Sequence, residues 1–418
     1  MLSAIGALAG LALAIIMIFR KISPVYSLMA GALVGGLIGG AGIAGTVGMM
    51  TAGVNDVTPA VVRILAAGVL SGMLIETGAA ETISYTIVNR LGTRHVHLSI
   101  ALATMLLTAT GVFIDVAVIT VAPIALVLSR RIGVPMPVML VMMIGGGKCG
   151  NIISPNPNTI IAAENFGADL YSVMICNLGA AVLGLLFTVY VVSRFIRRKE
   201  QVAAEVDPVV RKDLPGFLAA ITGPVVAVVL LALRPLTGIT VDPLVALPAG
   251  GLAGLIAMRR CKLTLTSLAS GLGKMTPVAV LLVATGTIAG VIKSSELSAL
   301  ILHGLDSLHI SEILLAPLAG ILMSAATAST TAGAAVASSS FAPAILTSGV
   351  TPVWGAAMVN AGATVVDHLP HGSFFHATGG AADLSIRQRM TLIPFESAIG
   401  FFLALLSTLS YLLVTTFF

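Results

Sequence analysis

Charge is what this chain has least of. Only 9% of its 418 residues are Asp, Glu, Lys or Arg, against roughly 25% in ordinary soluble domains. So few ionic groups cannot coat a water-soluble globule of this size, which argues against a sizeable soluble domain, whether enzyme or receptor. The three cysteines, Cys149, Cys176 and Cys261, are odd in number, scattered and set in apolar runs, so neither a disulfide framework nor a zinc spacing is available. The sequence contains no G-x-S-x-G and no HExxH, and no paired aspartates on facing helices are found. The chain is therefore not read as an enzyme, and no cofactor is expected.

Apolar length is what it has instead. Hydrophobic residues make up 57% of the chain and mean hydropathy is +1.06. Apolar runs of about 17–25 residues recur, the length a helix needs to cross a bilayer. The expected fold class is an all-α polytopic membrane protein with the lipid bilayer as its surroundings. The 44 glycines suit close helix approach and interrupted helices in lipid. Net charge is +5, but Lys and Arg are placed as a membrane topology would place them, so nucleic acid is not an expected partner. Residues 2–19 are as hydrophobic as a signal peptide. They lack a basic start and a small-residue cleavage site, and their counterpart at 217–233 is internal, so a retained helix is expected.

The chain also repeats itself. PVYSLMAGALVGGLIGG from Pro24 recurs as PLVALPAGGLAGLIAM from Pro243, pairing Gly31 with Gly250 and Gly35 with Gly254. VTPAVV at Val57 answers MTPVAV at Met275, and LSGMLI at Leu70 answers IAGVI at Ile288. VAPIALVL at Val121 answers FAPAILTS at Phe341, and GADL at Gly167 answers AADL at Ala381. The five pairs run in order, about 214 to 220 residues apart. Duplicated hydrophobic halves are the mark of secondary transporters, whose substrate site lies where the halves meet. We expect two repeats, 1–194 and 215–418, joined by a charged cytoplasmic linker at 195–214.

In each half the pattern predicts three spans, a re-entrant hairpin, a broken spanning helix and a final span. Those are five crossings, so the second half enters from the opposite side. Expected spans are 2–19, 25–43 and 60–75, an amphipathic helix at 79–91, a hairpin at 96–128, a broken helix at 137–166 and a span at 171–194. The second half repeats this at 217–233, 243–258, 277–292, 296–308, 310–346, 351–379 and 392–417. Placing the Arg20/Lys21 turn in the cytoplasm puts 18 of the 22 Lys and Arg there, Lys274 and Arg389 among them. Only Arg234 and Lys293 fall outside, with Arg63 and Lys148 inside membrane segments. That bias supports the inverted threading, with both termini outside.

Two stretches cannot continue as regular helix: GGGKCGNIISPNPNT from Gly145 and NAGATVVDHLPHGSFFHATGG from Asn360. They align Pro155 with Pro370. Proline leaves backbone groups unpaired, and irregular chain at membrane depth is tolerated only where it is buried in protein or lines a cavity. Half-helix N-termini favour carboxylates, whereas loose carbonyls suit cations. The candidate substrate contacts here are Asn151, Ser154, Asn156, Asn158, Thr159, His371 and Ser373. The hairpin tips TATGVFID at 108–115 and TASTTAG at 327–333 add Thr108, Thr110, Ser329, Thr330 and Thr331, whose hydroxyls can meet an anion without bulk. Embedded charges are costly unless paired or hydrated. Lys148 can neutralise a substrate carboxylate or pair with Asp115 or Asp367. Asp115, Asp367 and His368 are the candidate carriers of a coupling proton. Arg63 is expected to snorkel to the outer interface, and Glu396 to face another helix. Zinc on His368, His371 and His376 is disfavoured because Pro370 and the glycines spoil the helical register.

At these residues the chain resembles the gluconate permease (GntP) family of proton symporters, within the ion transporter superfamily. The resemblance runs over nearly the whole length. SPNPNTIIAAENFGADL from Ser154 matches a family stretch that reads Pro-Pro-His-Pro-Gly-Pro, keeping Pro155 and Pro157 but placing Asn156 at the histidine and Asn158-Thr159 at the last pair. HLPHGSFF from His368 matches His-x-Asn-Asp-x-Gly-Phe-Trp, keeping His368 and Phe374 but placing Pro370 and His371 at Asn-Asp. The resemblance implies a bacterial inner-membrane importer of small hydroxy or keto acids coupled to H⁺. It implies an elevator motion of hairpins and broken helices past a scaffold, and a homodimer. The resulting expectation is a proton-coupled carboxylate symporter. Na⁺ coupling is the alternative, because Asn, Thr and free carbonyls are ligands that Na⁺ accepts.

Overall fold

The computed structural model describes residues 2–92, 95–196, 213–297, 299–300, 303, 307, 311–370 and 372–417. The expected linker, most of the second amphipathic piece and His371 fall outside them. Among the described residues the fold is helical throughout, apart from an isolated bridge between Leu2 and Ser295. The first half runs α1 (Ala4–Phe19), α2 (Pro24–Ile38), α3 (Gly42–Glu76), α4 (Ala79–Leu91), α5 (Val96–Ala109), α6 (Ile114–Ile132), α7 (Met136–Asn151), α8 (Pro157–Asn165) and α9 (Leu170–Phe195). The second runs α10 (Phe217–Thr237), α11 (Pro243–Ala257), α12 (Thr264–Lys293), α13 (Leu315–Thr327), α14 (Thr330–Thr347), α15 (Pro352–Gly362), α16 (Ser373–Ala381), α17 (Ile386–Met390) and α18 (Ile393–Phe417). Four helical stretches are long and apolar enough to cross a membrane unaided: Gly42–Glu76, Leu170–Phe195, Cys261–Lys293 and Ile386–Thr416. Large apolar side chains such as Ile5, Phe195 and Leu218 stay exposed on the outside, as expected of a lipid-facing surface.

Local chemistry sets the helix starts. Prolines open α2, α8, α11 and α15 at positions whose N–H needs no helical partner. Asn156, Asp242 and Ser329 accept a backbone N–H at the head of α8, α11 and α14. The hairpin turns use a left-handed residue each, Gly111 with φ 96° and Ala328 with φ 46°.

Two expectations about proline and glycine are corrected. The third span of each half was expected to begin near Pro59 and Pro277, yet α3 and α12 run through both prolines. In each, the preceding threonine donates its hydroxyl to the carbonyl four residues back, Thr58 to Val54 at 3.0 Å and Thr276 to Leu272 at 2.8 Å. These bonds do not fill the carbonyls that the missing proline N–H groups would have met, those of Asn55 and Gly273; both helices pass their prolines while packed along each other. The glycine run from Gly145 was expected to be irregular, yet α7 stays helical to Asn151. The glycines serve close approach instead. A methyl added at Gly146 would lie 1.9 Å from the carbonyl oxygen of Ala101 on α5, and one at Gly362 would lie 2.3 Å from that of Pro317 on α13.

Hairpin α5–α6 therefore lies against α7, and hairpin α13–α14 against α15. Outside this assembly α3 and α12 pack along each other, with backbone against backbone: a methyl on Gly53 would sit 2.1 Å from the Gly286 oxygen. The short pairs α1–α2 and α10–α11 flank them.

Candidate functional site

Both broken helices open mid-way, at 152–156 between α7 and α8 and at 363–372 between α15 and α16. The two gaps are joined. Asn158 Nδ2 donates to Asn360 Oδ1 at 2.7 Å, and Asn360 Nδ2 donates to Thr159 Oγ1 at 3.1 Å. The first gap also folds upon itself. Asn156 donates to Asn151 Oδ1, its own Oδ1 accepts from the Thr159 hydroxyl at 3.1 Å, and Ser154 Oγ donates to Asn151 O at 3.0 Å.

A second network holds the charges. Lys148, fully buried near the end of α7, donates from Nζ to Asp367 Oδ1 at 2.8 Å, to Glu396 O at 3.3 Å and to Thr364 O. Asp367 Oδ2 accepts from Thr330 Oγ1 at 2.5 Å, which ties the second hairpin tip to the second gap. His368 Nε2 lies 3.1 Å from Ile393 O. A carbonyl only accepts, so Nε2 carries the hydrogen and Nδ1, 3.0 Å from Lys148 Nζ, is left to accept from the ammonium. Nδ1 also lies 3.0 Å from Asp367 Oδ1. A further proton on the imidazole would point at that oxygen and compete with Lys148 for it. Three titratable side chains thus share one buried corner.

Behind it, Arg389 makes a bidentate pair with Glu396, one contact at 2.9 Å, and lies 4.9 Å over the Phe375 ring. Arg389 was expected to be a cytoplasmic loop charge, but it is buried, because a carboxylate seven residues on and an aromatic face compensate it. Arg63 is corrected likewise. Instead of snorkelling alone, it donates from Nε to Asp242 Oδ1 at 3.0 Å and from Nη1 to Glu164 Oε2, joining α3 to the ends of α8 and α11. That guanidinium holds the Asp242 carboxyl below the usual carboxylate range.

Where these networks reach the surface, a cavity of about 420 Å³ opens. Of the expected site residues, Asp115, Asn151, Asn158, Ser329, Thr330, Thr331, Asp367 and Ser373 line it. Both hairpin tips, the two helix ends that flank the first gap, and the second gap contribute. Ser154, Asn156, Thr159, Lys148 and His368 sit behind that wall and are buried. Thr108 is also buried, donating to Gly147 O at 3.0 Å, and Thr110 bonds back to Leu107 O at 2.6 Å. Neither touches the cavity. Two contributors escaped sequence reasoning. Asn360 is a lone amide in the apolar run MVNAG, which was its only signal. Lys274 was assigned to the cytoplasmic rim because α12 was expected to start at Pro277. The helix starts thirteen residues earlier, at Thr264, and Lys274 lines the cavity. Among the described residues no cluster of His, Cys, Asp and Glu is arranged to hold a metal ion.

Interrupted helices and paired hairpins around a polar cavity, inside a shell of membrane-length helices, define an integral membrane transporter. The chain belongs to the GntP family of permeases, whose pattern it matches over residues 2–414. It is 52% identical to an uncharacterized transporter of Haemophilus influenzae over 98% of both chains. It is 23% identical to a high-affinity gluconate transporter of Escherichia coli over 89% of this chain and 90% of that one. It is 29% identical to a gluconate permease of Pseudomonas aeruginosa over 53% and 51%. In fold it is similar to the YdaH transporter of Alcanivorax borkumensis, with a TM-score of 0.61, 15% identity and coverage of 87% and 86%.

Proposed function

We infer that the protein is a secondary active transporter of the bacterial inner membrane that imports a small hydroxy- or keto-carboxylate with H⁺. The observation that carries this reading is the chain of contacts from the cavity wall inward: Thr330 to Asp367, then Lys148 and His368. Asp367 faces the cavity yet has its charge met from the buried side, so protonation there can be felt by a substrate without an open water path. Asp115, also on the wall, is a second carrier. The hydroxyls of Ser329, Thr331 and Ser373 and the amides of Asn151 and Asn158 are suited to a hydroxylated anion. Relatives named as gluconate transporters support that substrate class.

In the same reading the repeats 1–194 and 215–418 are inverted copies with both termini outside. Equivalent glycine contacts support this: Gly10 against Gly31 in α1–α2, and Gly223 against Gly250 in α10–α11. Hairpins and broken helices slide as one block past α3 and α12, in a homodimer. Uptake of radiolabelled organic acids into proteoliposomes tests the reading. An inward pH gradient in sodium-free buffer should drive accumulation. Accumulation that needs sodium instead would replace H⁺ by Na⁺ as the coupling ion, and uncoupled leak would make the protein a channel.

A further inference from the structure

We propose that Lys274, on α12, is the residue that receives the substrate's carboxylate; this rests on the carboxylate-transport reading above. Among the described residues three charged side chains line the cavity: Asp115, Asp367 and Lys274. The charge of Asp367 is answered by Lys148 at 2.8 Å. Lys148 cannot also serve an incoming anion. Its ammonium has three hydrogens, and Asp367, Thr364 O, His368 and Glu396 O already surround it with four acceptors at full burial. Among the described residues Asp115 accepts from the backbone N–H of Val116 at 2.9 Å and has no ion-pair partner. Its charge repels an anion unless it is protonated.

Lys274 has no hydrogen-bond or ion-pair partner among the described residues, and it is exposed to the cavity. Among the described residues it is the one lining cation there. An ammonium in a membrane helix stays charged only if it is hydrated or paired, and here hydration comes from the cavity itself. Its surroundings on α12, Pro277, Val278 and Leu281, are apolar. A carboxylate that displaces part of that water meets a cation that no protein acceptor among the described residues already holds. The hydroxyl residues Ser329, Thr331 and Ser373 line the same cavity and can meet the rest of the molecule. This polarity specifies an acid with one ionised end and a hydroxyl- or keto-bearing body. Because α12 packs on α3, outside the hairpin and broken-helix assembly, the contact is one that a sliding of that assembly would break. Substrate release would then follow from the motion itself. One bound anion and one proton on Asp115 would together leave the cavity charge balanced.

The test is uptake by the full-length chain in proteoliposomes, with radiolabelled gluconate and glycerate as probes and sorbitol as a neutral competitor. Wild type, Lys274→Gln and Lys274→Arg are compared after each is shown to be monodisperse in detergent. Lys274→Gln should raise KM about tenfold or more with Vmax changed less than about twofold, the loss of roughly one ion contact in a wet site. Lys274→Arg should recover most of that affinity, and competition by sorbitol should be the same in all three. Unchanged KM in Lys274→Gln overturns the proposal while leaving carboxylate transport standing. A parallel loss of sorbitol competition overturns it too, because it would show a collapsed cavity instead of a lost charge. Absence of uptake of either acid by the wild type removes the carboxylate reading itself, and this inference with it.

Discussion

Replacing Lys148 by Gln removes the cation from the most enclosed charge pair in the molecule. Nζ and Asp367 Oδ1 lie 2.8 Å apart with side-chain exposures of 0% and 2%. At an effective dielectric of about 20 their attraction is about 6 kcal/mol, offset by desolvation of several kcal/mol per ion. What the variant feels is the stranded carboxylate. Breaking one side of a buried pair costs about 3–5 kcal/mol. The carboxylate can escape only by taking a proton, which for a group of ordinary pKa costs about 4 kcal/mol at pH 7 and about 1.4 kcal/mol less for each pH unit below that. The two routes agree. Lys148→Gln should therefore lower the apparent unfolding midpoint in detergent at pH 7 by about 5 °C or more. The deficit should shrink by more than half at pH 5. Lys148→Gln with Asp367→Asn should recover much of the loss, because no unpaired charge then remains. A single-variant cost under about 1 kcal/mol, a deficit that ignores pH, or a double variant whose losses simply add would refute the reasoning.

Asp367→Asn alone should abolish accumulation driven by a pH gradient while sparing substrate exchange; normal accumulation would take Asp367 out of the coupling role. Asn158→Ala unties the two gaps by removing the 2.7 Å bond to Asn360. It should weaken substrate binding about fivefold or more, the worth of about one buried hydrogen bond, measured by thermal shift against an acid panel. Gly53→Leu forces α3 away from Gly286 and Gly290; low yield and loss of the monodisperse peak are expected, whereas Gly48→Leu, with open space around its Cα, should behave as wild type. Asp242 is held below the usual carboxylate range by Arg63, so its contribution to stability is present above the ordinary carboxylate pKa. It is lost only as pH falls through the depressed value. With the side chain 42% exposed, Asp242→Asn should cost about 1 kcal/mol or less at neutral pH. The gap to wild type should close in stronger acid in a detergent unfolding series.

Much of this arrangement is legible in the linear chain. Apolar runs separated by polar turns are set by the bilayer, which admits only backbones that satisfy their own hydrogen bonds, so the class, the hairpins and both helix interruptions are written locally. Pro155 and Pro157, and Pro370, mark the gaps because a missing N–H cannot be hidden. What proline does inside a helix is less local. Pro59 and Pro277 look the same in sequence as the breaking prolines, yet α3 and α12 run through them while packed along each other.

Partner choice is where the linear reading stops. The spacing of Lys148 and Asp367 along the chain, like that of Arg63 and Glu164, carries no information about which ions meet. Both Asp115 and Asp367 were admissible partners for Lys148, and a buried ammonium accepts whichever carboxylate the packing brings within 3 Å. The glycine run at Gly145 was read as disorder of the helix and turned out to be its closest contact. Lys274 moved from the rim to the cavity because a helix boundary shifted by several turns. Sequence alone determined that this protein belongs in a membrane and carries interrupted helices around a polar centre, since both follow from which residues lipid will tolerate. Only the tertiary structure decided which of its few charges cancel inside the protein and which are left facing the cavity, because that depends on distances between helices that the chain order does not encode.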